Sequence, residues 1–262
     1  MKLENLKQYL DSECNRYSNL SFIQDDPISI PHQFSLKQDI EIIGLWIALL
    51  AWGNRKSILS SGRRLTELMD SSPYDFIKNH NDVDRARFEK FVHRTFNGED
   101  AIYFLEFFQN YYADHESLES AFSSGLSEED KNVAPALIHF RNVFIKYANP
   151  PRRSLKHIST PENNSRCKRL LMFLRWMVRR DINGVDFGIW RQIKPSQLLM
   201  PLDVHVGKIA RQLGMLKREQ SDWKAVLELS QFCSKLDPLD PVKYDFALFG
   251  LGISQKNKFN QI

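Results

Sequence analysis

The sequence predicts an all-α fold, and three observations carry that prediction. Apolar residues recur at three- and four-residue spacing through most of the chain. No stretch shows strand alternation or a hairpin signal. No segment repeats with a period on the order of 20–50 residues. The chain has 262 residues, 42% hydrophobic and 26% charged, with 18 Phe, 5 Trp and only 11 Gly. That is length for one large domain or two small lobes, with the composition of an ordinary globular protein rather than a disordered one.

Residues 1–20 read as a first helix with Leu3, Leu6, Tyr9 and Leu10 on one side. Residues 21–38, holding Pro27 and Pro31, are an irregular connection. From Asp39 the run DIEIIGLWIALLAWGN is apolar almost all round, which describes a helix buried on most sides, ending at Gly53-Asn54. Arg55 to Met69 is amphipathic and helical, Ser71-Ser72-Pro73 opens a short helix, and Val83 to His93 fits another. Asn97-Gly98 is a turn. Glu99 to Tyr112 places Tyr103, Phe107, Phe108 and Tyr111 at helical spacing. The polar stretch Gly125 to Asp130 leads into a helix over 133–147. Asn149-Pro150-Pro151-Arg152-Arg153 breaks that helix and forms a natural linker.

Lys168 to Arg180 is a second nearly all-round apolar helix with basic ends. Asn183-Gly184 and Gly188 mark an irregular connection, and Pro195 precedes a short turn. Pro201 to Leu216 then reads as an acidic residue at the mouth of an amphipathic helix. Pro201 suits the entry, and Asp203 can accept orphan N–H bonds of the first turn and face the positive end of the dipole. Val206, Ile209, Ala210 and Leu213 form the buried face, and Gly214 ends the helix. Ser221-Asp222 caps a helix to Cys233, and Asp237-Pro238 and Asp240-Pro241 turn the chain into a last helix, Val242 to Leu251.

Composition excludes several classes of function. The three cysteines, Cys14, Cys167 and Cys233, are far apart and form no CxxC pair, so a zinc ribbon and a Cys-ligated iron–sulfur cluster are unsupported. No metal or other cofactor is expected. Met1 to Leu10 has charges and no apolar run, so no secretory signal is read there. The longest apolar run, Ile42 to Trp52, has 11 residues and is too short for a bilayer. These features predict a cytoplasmic protein with no membrane partner. The net charge is +4, but Arg141 to Arg191 holds 12 Lys or Arg against three acids, so the rest of the chain sums to −5. A basic segment on a slightly acidic protein is the footprint of a polyanion partner, nucleic acid first, or else a solvated basic face.

Two resemblances follow from particular stretches. AWGNR (Ala51 to Arg55), HRTFN (His93 to Asn97), CKRLLMFLRWMVR (Cys167 to Arg179), PLDVHV and KYDFALFGLG (Lys243 to Gly252) resemble an uncharacterised bacterial domain-of-unknown-function family over most of the chain. The stretch Pro201 to Val206 resembles the V/P-x-D-x-H-[VIM] hallmark of the helix-hairpin-helix (HhH-GPD) superfamily of base-excision DNA glycosylases. The 35-residue spacing between Lys168 and Asp203 is nearest to the archaeal 8-oxoguanine DNA glycosylases. The glycine-bearing hairpin of that superfamily is replaced here by Pro161-Glu162-Asn163-Asn164-Ser165-Arg166-Cys167-Lys168.

The glycosylase resemblance implies two helical lobes with a cleft between them. Residues 39–195 would form a central lobe with the Lys-bearing helix, and 1–38 plus 196–262 a second lobe starting with the Asp-bearing helix. It implies a DNA base-excision glycosylase, with or without AP-lyase activity, acting on a flipped damaged base such as an oxidised purine in double-stranded DNA. Lys168 would be the nucleophile at the sugar C1′ and Asp203 the carboxylate that stabilises the cationic sugar or takes a proton. Trp52, Asn54 and His205 would contact the base. Arg55, Arg94, Arg152, Arg153, Arg166 and Arg169 would contact phosphates. Each residue also has an ordinary role open to it: Asp203 as a cap, Lys168 as a solvated helix start, Trp52 as core, His205 as a satisfied helix histidine. Two other classes therefore stand beside the enzyme, a non-catalytic nucleic-acid-binding protein of the same fold and a helical protein-interaction module.

Overall fold

The computed structural model describes residues 2–259. It is predominantly helical. The helices are α1 (Leu3–Tyr17), α2 (Lys37–Leu50), α3 (Arg55–Leu68), α4 (Pro73–Asn79), α5 (Asp82–Ala86), α6 (Gly98–Asp114), α7 (Glu119–Ser123), α8 (Ala134–Ala148), α9 (Lys168–Val178), α10 (Val204–Gln212), α11 (Trp223–Leu236) and α12 (Tyr244–Phe259). Two short strands, β1 (Val92–His93) and β2 (Phe96–Asn97), pair antiparallel. Among the described residues no helix is long and apolar enough to cross a membrane.

Several expected elements shift. The helix expected over Val83 to His93 stops at Ala86, and the chain turns into the β1–β2 hairpin, which carried no glycine or Asn-Gly signal. Its tight turn puts Arg94 in the left-handed region at φ 57°. Asn97-Gly98, expected as a turn, starts α6. Asn97 accepts from Asp100 N at 3.1 Å while Asp100 accepts from Asn97 N, a reciprocal cap. On α1 the buried side is Leu6, Leu10, Cys14 and Tyr17, while Leu3 and Tyr9 face solvent.

The chain divides into two compact units. The first is Met1–Phe22, Glu129–Val133 and Thr160–Ile262; the second is Ile23–Glu128 and Ala134–Ser159. This corrects the expected lobes, because α9 belongs with α10 to α12 rather than with α2 to α8. The physical reason lies in Arg175 of α9 and Arg179 just past its end, which are buried and find their carboxylates on Asp181, Asp186, Asp240 and Asp245 of the same unit.

In the second unit every residue of α2 from Ile40 to Leu50 is buried, as its all-round apolar sequence predicts. Trp46 stacks against Phe88 and Phe104, and Phe104 and Phe107 each pack on Phe144 at 4.8 and 4.9 Å. Within this aromatic core sits one carboxylate of α2, Glu41. It accepts hydrogen bonds from Tyr112 Oη at 2.8 Å, Ser117 Oγ at 2.5 Å and Leu118 N at 3.1 Å, so its burial is compensated. Burial, reinforced by Glu41, drives the Tyr112 hydroxyl well above its ordinary pKa.

In the first unit α12 packs along α1 and α10. Glycines make the close approach possible. A β-carbon on Gly250 would stand 2.3 Å from the Tyr17 ring, and one on Gly252 2.8 Å from His205 Cβ. Tyr17 Oη shares a 2.7 Å hydrogen bond with Ser254 Oγ across the α1–α12 contact. The α9 helix is buried from Leu170 to Val178.

Candidate functional site

The site residues expected from the sequence fall into two constellations, one in each unit. In the first unit Lys168 opens α9. The turn before it has two left-handed non-glycine residues, Asn164 (φ 53°) and Cys167 (φ 45°). Asn and Cys here adopt the conformation for which a hairpin glycine is usually chosen, at some cost in backbone strain. The turn is anchored elsewhere. Asn164 O accepts from Trp223 N at 3.2 Å, and Asn164 Nδ2 donates to Asp222 at 3.1 Å. Asp222 in turn caps α11, and its hydrogen bond from Arg218 holds its carboxyl below the usual range. No side chain caps α9. Lys168 is half-buried with Nζ 3.2 Å from Met172 Sδ, one turn along the same face. Burial, with Arg166 adding repulsion, pushes Arg169 down to about 10.

Asp203 is the N-cap of α10, as its sequence position predicts: Oδ1 accepts from Val206 N at 2.8 Å. Among the described residues Oδ2 has no hydrogen-bond partner, so the cap occupies only half of the carboxylate. Gly214, at φ 71°, follows the end of α10 as expected. His205 packs edge-on against Phe249 of α12 at 6.1 Å, which gives it a packing role. Among the described residues no group of His, Cys, Asp and Glu is arranged to hold a metal ion, and all three cysteines are buried and outside any disulfide.

The residue that sequence reading missed is Asp245, in the first turn of α12. It is buried and forms an ion pair with Arg175, two turns along α9 from Lys168. Its carboxyl is pushed up to about 6, chiefly by burial, against the pull of Arg175. Asp203 also raises it and Lys168 lowers it, so all three groups share one electrostatic neighbourhood. The available signal was the acid in KYDFALFGLG, an ionisable residue at the head of an otherwise apolar helix. Beyond it the charge network continues. Asp186 bonds to Arg175 at 3.2 Å and to Arg179 at 3.1 Å, Arg179 reaches Asp240 at 2.9 Å, and both guanidinium groups lie over the Phe246 ring.

In the second unit Trp52, Gly53, Asn54, Arg55 and Arg94 gather where α2 gives way to α3. Arg94 lies over the Trp52 ring at 4.4 Å and is exposed. Gly53 has φ 103°, and a β-carbon there would meet Arg94 Nη1 at 2.8 Å, so glycine serves both the turn and the guanidinium. His93 holds the hairpin in place, bonding Ser61 Oγ at 2.9 Å and standing edge-on to Trp52. Asn54 is the N-cap of α3, accepting from Lys56 N at 2.9 Å. Arg55 lies 4.0 Å from Asp26.

The segment just after the Pro linker is anchored by buried side chains. Ser154 Oγ donates to Asp100 at 2.6 Å, and His157 Nε2 lies 3.2 Å from the other oxygen. This serine, histidine and aspartate hold a loop to α6: the hydroxyl is committed to the carboxylate and all three are buried. Burial works to raise the Asp100 carboxyl, but the hydrogen bonds from Ser154 and Asn97 N outweigh it and leave it below its ordinary value. Both arginines of the linker are exposed; Arg153 pairs with Glu99 and lies 3.7 Å from Asp100. The basic excess read from Arg141 to Arg191 is thus partly consumed within the fold. Arg141 donates to the carbonyls of Leu155 and Ile158, and Arg153, Arg175 and Arg179 have carboxylate partners, some of them outside the segment.

These features define an all-α protein with a half-buried lysine and a capping aspartate beside a buried ion-pair network. The chain belongs to the family described as a protein of unknown function (DUF2400), which matches residues 26–254. No curated protein and no solved structure matches it.

Proposed function

We propose that this chain is a DNA base-excision enzyme, a glycosylase with lyase activity, working through Lys168 and Asp203. The observation that supports the reading is their common neighbour: both bear on the buried Asp245, while one oxygen of Asp203 is left unbonded by its cap. The likeness of Pro201 to Val206 to the glycosylase hallmark supplies the reaction class. Lys168, as the neutral amine, attacks C1′ of the damaged nucleotide. The C1′–N bond breaks with its electron pair going to the base, which leaves as it gains a proton. The proton lost by the amine passes to the free Asp203 oxygen and from there to the departing base. Trp52, Asn54 and Arg94 of the second unit, with Arg55, Arg152, Arg166 and Arg169, are the proposed DNA contacts. His205 is given a packing role instead.

The test is incubation of the folded protein with duplexes bearing oxidised, deaminated or alkylated bases, in the presence of borohydride. The expected result is a covalent adduct with at least one lesion, absent in Lys168→Ala. Neither adduct nor base release across the panel overturns the enzyme reading. A second reading, a nucleic-acid-binding protein without chemistry, is favoured by the rest position of Lys168 Nζ against Met172 Sδ. It predicts salt-dependent duplex binding that Lys168→Ala leaves unchanged.

A further inference from the structure

We infer that the second unit holds a binding pocket for a small anion carried on a planar ring, built by α6, α7 and α8. It shares no residue with either constellation above and does not depend on the proposed DNA chemistry. The pocket has a volume of about 310 Å³, at the small end for ligand sites. One wall is a set of locked rings. Tyr111 and His115 stack at 4.1 Å and 5°, and Tyr147 stands edge-on to both at 5.3 and 6.0 Å. Tyr111 Oη is fixed by a 2.6 Å hydrogen bond to Ser120 Oγ, and His115 Nδ1–H donates to Tyr111 O at 3.0 Å. Such a wall exists before any ligand arrives, so little ordering is needed on binding.

The opposite chemistry comes from α8. His139, Asn142 and Lys146 line the pocket at helical spacing, and Ser124, just past α7, adds a hydroxyl. None of these four side chains makes a hydrogen bond or ion pair with the protein among the described residues. Lys146 rests over the Tyr147 ring at 5.0 Å, which restrains its ammonium. No Asp or Glu lines the pocket. Lysine, amide and hydroxyl groups supply N–H and O–H donors with no carboxylate to receive them. Converging donors select an anion, and the ring wall selects a flat apolar body. The volume suits one ring with one anionic group, an aryl carboxylate or an aryl phosphate.

The experiment is a ligand-observed NMR titration of the full chain with benzoate and with phenyl phosphate. Inorganic phosphate and benzyl alcohol serve as probes that carry only the anion or only the ring. Saturable binding of benzoate or phenyl phosphate is expected, and whichever binds more tightly names the anionic group. Each partial probe should bind roughly tenfold more weakly. Lys146→Met and Ser124→Tyr, both at exposed positions, should each weaken the complete probe by roughly tenfold or more while the unfolding midpoint stays put. The inference is overturned if neither complete probe binds at millimolar concentration. It is equally overturned if inorganic phosphate or benzyl alcohol binds as well as the complete probes, or if both variants bind like the parent.

Discussion

The two units bury different things. The second closes over stacked aromatic rings, and its buried carboxylates Glu41 and Asp100 are met mainly by hydroxyl and backbone donors. The first threads two arginines, one in the apolar helix α9 and one at its end, among four aspartates. Aromatic packing has preferred ring geometries but strands no charge when one ring is trimmed. Buried ion pairs are demanding, because removing one partner strands the other in a poorly solvating interior, while the intact pair adds little net stability. A fold that keeps such a network next to Lys168 and Asp203 holds an electrostatic environment there that packing alone would not produce.

The largest expected effect breaks the charged unit. Arg175→Met leaves Asp245 without its ion pair and Asp186 with only Arg179, and should cost about 3–5 kcal/mol in denaturant unfolding. A loss below about 1 kcal/mol would show that the network is not what holds α9. The next effect is a pH dependence. The Asp245 carboxyl has its folded pKa raised, so the folded state binds its proton more tightly than the unfolded one. Its contribution is therefore favourable at pH 4 and is lost as pH rises through about 6. Stability measured against Asp245→Asn should fall by about 2 kcal/mol between pH 4 and 7, and a flat difference would contradict the assignment. In the aromatic unit, Phe104→Leu should cost about 1–2 kcal/mol, with no pH dependence of its own. The smallest effect sharpens the comparison most. Asp203→Asn keeps an N-cap and should change stability by only a few tenths of a kcal/mol, yet abolish trapping of a DNA adduct. Loss of stability without loss of trapping would make Asp203 a cap alone.

Much of the helical framework was legible because burial leaves a spacing. The all-round apolar stretches became α2 and α9, and Asp203, Asp222 and Gly214 took the capping places their types favour. What could not be read were features set by tertiary contact. The β1–β2 hairpin turns on a left-handed Arg94 with no glycine to announce it, because the guanidinium is held by Trp52. Asn164 and Cys167 likewise take the left-handed conformation before α9, where the glycosylase hairpin carries glycines. The charge of Arg141 to Arg191 was counted along the chain, but Glu99, Asp240 and Asp245 lie outside that window and meet its arginines only in the fold. Asp245 was hidden for the same reason: an acid heading a helix looks like a dipole partner until its neighbours are known.

The α1–α12 contact also orders events in time. Tyr17 finds Gly250 only after more than two hundred intervening residues have been made. At ribosomal speeds of about 5–20 residues per second, α1 emerges and then waits roughly 10–45 seconds for its partner. The aromatic unit, complete by Ser159, has that interval in which to form first. The charged unit around Lys168 is therefore assembled late, when the last helix arrives to close it.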